Sequence, residues 1–78
     1  MASTMDGRAV VSEYFLELRA RVLDLAAGFD RIERAPGGAP LMLEHTGLRE
    51  LRAALAVLAE TGCTDRTERI LRSFSLEG

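Results

Sequence analysis

Between residues 11 and 32, large apolar side chains recur at alternating steps of four and three: Val11, Phe15, Leu18, Val22, Leu25, Phe29 and Ile32. This is a single apolar seam along one helix. The spacing predicts a long helix over 7–34, ending before Pro36, whose ring clashes with a helical predecessor and which has no amide to donate. A lead-in over 1–6 carries Thr4 and Asp6, either of which is placed to accept from the first free amides. Arg31 and Arg34 fall in the last turn, where they meet the negative end of the helix dipole. Glu17 with Arg21, and Asp30 with Arg34, stand four apart in the favourable acid-first order. Gly28 costs about 1 kcal/mol relative to alanine inside a helix. The seam keeps its phase through Phe29 and Ile32, so the helix is expected to continue, with Ala26, Ala27 and Gly28 marking a close approach of another backbone.

At about 100° per residue, Leu16, Ala20, Leu23 and Ala27 lie roughly 160° away from the seam. The long helix is therefore apolar on two opposite faces. Glu13, Glu17, Asp24 and Arg31 occupy one flank between them, and Arg19 and Asp30 the other. A helix covered on one side only would carry charge at Leu16 and Leu23, so a second cover is expected there, either from later helices straddling the first or from another copy of the chain.

Residues 35–47, with two prolines and two adjacent glycines, are predicted as a loop in which Leu41, Met42 and Leu43 pack as an apolar plug. Extended, those residues span about 43 Å, close to the roughly 42 Å of the long helix, so either end of that helix is within reach. A second helix is predicted over 48–61, starting after Thr46 and stopping at Gly62. Its stripe is Leu48, Leu51, Leu55 and Leu58, widened by Ala54 and Ala59, with Arg49, Arg52 and Glu60 opposite. A third helix is predicted over 65–74, capped by Thr64, with Ile70, Leu71 and Phe74 as its buried side and a tail over 75–78. There is no internal repeat and no strand pattern. The expected fold is all-α and a single domain: one long N-terminal helix with two shorter helices packed against it, like a three-helix bundle.

The length bounds the packing. A chain of 78 residues buries only roughly 60–65% of its unfolded surface, so its core is marginal and a partner would help it. Hydrophobic residues make up 47% and charged residues 28%, a globular composition. All ten basic residues are arginine, and Lys, Asn and Gln are absent. The net charge of −2 argues against wholesale binding to nucleic acid or an anionic membrane. The lone Cys63 forms no internal disulfide, which suits a reducing compartment, and the cytoplasm is the expected location. The first residues lack a basic segment followed by an apolar core, and no run of about 18 apolar residues exists, so neither a signal peptide nor a membrane span is expected.

Residues that carry chemistry are few. His45 stands alone in the predicted loop, with no second histidine and no cysteine at ligand spacing; it reads as an exposed or helix-capping residue. Cys63 precedes a helix start, where a thiol pKa falls, but only His45 would serve as its base; it reads as a small buried hydrophobe. Glu13, Glu17 and Asp24 lie along an exposed flank without the Glu-x-x-His partners of dimetal bundles. Tyr14, beside the seam, is expected to pack its ring and leave its hydroxyl wet. No metal, cofactor or catalytic site is expected, and no enzymatic activity.

Arg66, Arg69 and Arg72 form a row on the predicted third helix, with Arg49 and Arg52 nearby. The row suggests phosphate contacts, and the two short helices around Gly62 suggest a helix-turn-helix. That motif requires an apolar residue where Glu68 stands, and Asp65 and Glu68 dilute the positive field, so the row reads first as a solvated face pairing with nearby acids. The leading expectation is a non-enzymatic protein–protein interaction module that self-associates as a homodimer, or binds a partner helix, through Leu16, Ala20, Leu23 and Ala27. The alternatives are a small nucleic-acid-binding regulator using Arg66, Arg69 and Arg72, and an accessory subunit of a separately encoded enzyme.

Overall fold

A computed structural model of the chain describes residues 6–74. The described residues are all-α, with four helices and no strand: α1 (Gly7–Arg34), α2 (Gly38–Glu44), α3 (Thr46–Ala59) and α4 (Arg66–Ser73). The chain divides into two compact units between Arg31 and Ile32. The expected tail over 75–78, and the lead-in apart from Asp6, lie outside the described residues.

The first unit holds α1 as far as Arg31. Asp6 caps it as the sequence suggests, its Oδ1 accepting from the Ala9 amide at 3.0 Å and its carbonyl accepting from Val10 at 3.1 Å. Arg21 donates to Glu17 one turn back, closing the predicted pair. Asp30 and Arg34, spaced alike, form no such pair. The helix runs through Gly28 without a break, and a Cβ added there would meet no atom of the same chain within 4 Å.

The second unit corrects the predicted loop over 35–47, because residues 38–44 of it are helical. Pro40 was read as a breaker, yet it sits in the first turn of α2, where the amide it lacks would have had no intrahelical acceptor. The true break is at Ala35, Pro36 and Gly37. Gly38 donates its amide to Ala35 O at 2.9 Å, and Gly37 takes φ 77°, ψ 2°. Proline followed by a left-handed glycine inside a one-to-four hydrogen bond is the signature of a type II turn. Gly38 is buried against the end of α1: a Cβ there would lie 1.7 Å from the Ile32 carbonyl oxygen.

Within this unit α2 packs on α3, and α3 on α4. Ala54, midway along α3, is the one buried hydrophobic residue among those described, while Met42, Leu48, Val57, Cys63, Ile70 and Phe74 are half-buried. The second predicted helix is shifted, beginning at Thr46 and ending at Ala59 rather than spanning 48–61. His45 caps it, Nδ1 accepting from the Leu48 amide at 3.2 Å. Glu60 leaves the helix with ψ 150°, and Gly62 follows at φ 79°. The last helix is Arg66–Ser73 rather than 65–74, with Asp65 and not Thr64 at its N-cap position. Ser73 Oγ and the Phe74 amide both donate to Ile70 O, closing its end.

Candidate interaction surfaces

Both apolar rows of α1 are exposed. In the row predicted as the interaction surface, Leu16 is 70% and Leu23 59% accessible, and the alanines Ala20 and Ala27 between them are exposed too. On the seam, Phe15 is 53%, Leu18 58% and Val22 64% accessible. Phe29, further along, is half-buried. An apolar groove lies at the edge of the seam, lined by Phe15, Leu18, Arg19 and Val22 and bounded by Leu23 of the second row. The first four of these occupy positions i, i+3, i+4 and i+7 of one helix, the lozenge of side chains that receives a knob from a facing helix. Tyr14 beside it is half-exposed rather than packed inward.

The arginine row of α4 is engaged within the chain. Arg69 grips the Glu60 carboxylate with two parallel bonds, Nη1 to Oε1 at 2.8 Å and Nη2 to Oε2 at 3.0 Å. This hydrogen-bonded pairing holds the Glu60 carboxyl below the ordinary glutamate range and raises Arg69 above the ordinary arginine value. Arg66 donates to the Glu60 carbonyl through Nε at 3.2 Å and through Nη2, and to the Cys63 carbonyl through Nη1 at 3.2 Å. Arg72 pairs with Glu68 at 2.8 Å one turn back. Arg52 donates to Met42 O at 3.2 Å and so ties the end of α2 to α3. These guanidiniums are placed as struts, and each phosphate contact would compete with a bond already made.

Glu60 is therefore the residue whose role the sequence hid. Its carboxylate and carbonyl gather Arg69 and Arg66 from nine and six residues away, spacings that no helical period predicts. The other candidates stay apart. Cys63 is a half-buried free thiol, His45 spends its Nδ1 on the α3 cap, and Glu17 is bonded to Arg21. Among the described residues no three His, Cys, Asp or Glu side chains converge on a metal-sized site, and no helix is long and apolar enough to cross a membrane. No protein-family model, curated protein or solved structure matches the chain.

Proposed function

We propose that the chain is a helical protein–protein interaction module, without enzymatic chemistry of its own, whose long helix α1 is the contact element and whose partner is a second copy. The observation that supports this is the exposure of large side chains on both faces of α1, Leu16 and Leu23 on one and Phe15, Leu18 and Val22 on the other. A lone helix of this kind leaves several side chains in water that would each contribute about 1.5–3 kcal/mol on full burial. In this reading the second copy covers one of the two faces. The sequence assigns the outward role to Leu16, Ala20, Leu23 and Ala27; exposure alone does not rank the two faces. The reducing cytoplasm is the compartment that suits the single free thiol of Cys63.

Light scattering across a concentration series tests the reading. The expected result is a molar mass of twice the 8.5 kDa chain that is reached as concentration rises. A clean monomer at every concentration overturns it and leaves the accessory-subunit reading, in which a different protein covers α1. Salt-sensitive retention on DNA that disappears when Arg66, Arg69 and Arg72 are neutralised would instead favour the nucleic-acid reading.

A further inference from the structure

We infer that the contact between copies runs along the seam of α1, with the two helices parallel and in register, so that Leu18 of each copy enters the groove formed by Phe15, Leu18, Arg19 and Val22 of the other. This rests on the self-association proposed above and moves it from the Leu16 row to the opposite face.

Area separates the two faces. A fully exposed Leu or Val offers roughly 100 Å² of apolar surface and a Phe roughly 150–250 Å², so the exposed parts of Val11, Phe15, Leu18, Val22 and Leu25 amount to roughly 300–350 Å² per copy. With the polar rim that accompanies such a core, the contact is on the order of 1,000 Å² over both copies, the threshold of a specific interface. The Leu16 row has two large residues and two alanines and reaches roughly half of that, the size of a crystal-packing contact.

The steps of four and three make the seam a strict heptad, with Phe15 and Val22 at one core position and Val11, Leu18 and Leu25 at the other. In a parallel pair each knob meets a hole from its own layer, so the Leu18 groove is complementary to Leu18 itself. Charge selects the direction. The antiparallel register that brings 11–29 into full overlap sets Arg19 against Arg19 and Arg21 against Arg21 at the dyad. The parallel register sets Arg19 beside the exposed ring of Tyr14 and Arg21 beside Ala26, with no like charges opposed.

The test uses the full chain with Cys63→Ser as background. Val11→Cys places a thiol near the start of the seam, and mild oxidation is expected to cross-link most of the protein; Glu13→Cys, on the outward side, is expected to give little. Leu18→Glu is expected to turn the dimer into a monomer of unchanged helicity, while Leu16→Glu combined with Ala20→Glu, both off the groove, leaves the dimer mass intact. A dimer that survives Leu18→Glu but is dispersed by the Leu16 and Ala20 pair overturns the choice of face and leaves self-association standing. A dimer in which Val11→Cys fails to cross-link overturns the parallel direction, and a monomeric parent chain removes both this inference and the reading it rests on.

Discussion

One chemical change, glycine to alanine, meets three different environments here, and the structure ranks its effects. At Gly38 the added Cβ would lie 1.7 Å from the Ile32 carbonyl oxygen and 2.8 Å from its carbon, against an ordinary contact of 3.4–4 Å. Both are backbone atoms, so no side-chain rotation relieves the overlap. The turn has to open, giving up the Gly38 to Ala35 bond of 2.9 Å and the Ala35 to Ile32 bond of 3.2 Å. Two hydrogen bonds at about 1 kcal/mol each, with an overpacking cost of about 1–3 kcal/mol, put Gly38→Ala at about 3–5 kcal/mol. That is a large share of the about 4–12 kcal/mol expected for a chain this long. At Gly37 and Gly62 nothing lies within 4 Å, but φ is 77° and 79°, so alanine there meets backbone strain alone, about 1–2 kcal/mol. At Gly28 there is neither contact nor strain, and alanine should stabilise α1 by about 0.5–1 kcal/mol. Urea denaturation followed by far-ultraviolet circular dichroism measures all four variants. If Gly38→Ala matched the parent chain in stability, the buried turn between α1 and α2 would be wrong.

The Glu60 clamp predicts a pH dependence. Because pairing with Arg69 lowers the Glu60 pKa in the folded chain, the pair contributes stability above the ordinary glutamate range and loses it as pH falls through the lower folded value. Acid titration of helicity should therefore show α4 loosening below about pH 4 in the parent chain, and Glu60→Gln should remove that step; an unchanged titration would exclude the clamp. His45→Ala should cost about 0.5–1 kcal/mol by freeing the Leu48 amide, and His45→Asp should restore most of it, as read from urea midpoints. Arg52→Ala should increase hydrogen exchange at the amides of α2 more than at those of α4, since its described bond is to Met42 O.

The sequence by itself determined that the chain is helical, where α1 runs, and that α1 is apolar on two sides. Those properties follow from local periodicity, proline and glycine placement and an aspartate cap, which act within a few residues and need no tertiary context. The sequence also exposed the candidate surfaces, because Leu16 with Leu23, and Phe15 with Leu18 and Val22, recur on fixed faces of one helix. It misread α2, because a proline three residues into a short helix looks like a breaker until the turn before it is known. It did not single out Glu60 as the acid on which Arg66 and Arg69 close. Only the tertiary structure decided that Arg66 and Arg69 close on Glu60, that Arg52 reaches α2, and that Gly38 admits no side chain. Each of these depends on atoms brought together across a turn or between helices, where the geometry of the backbone, rather than the spacing of residues, sets the distance.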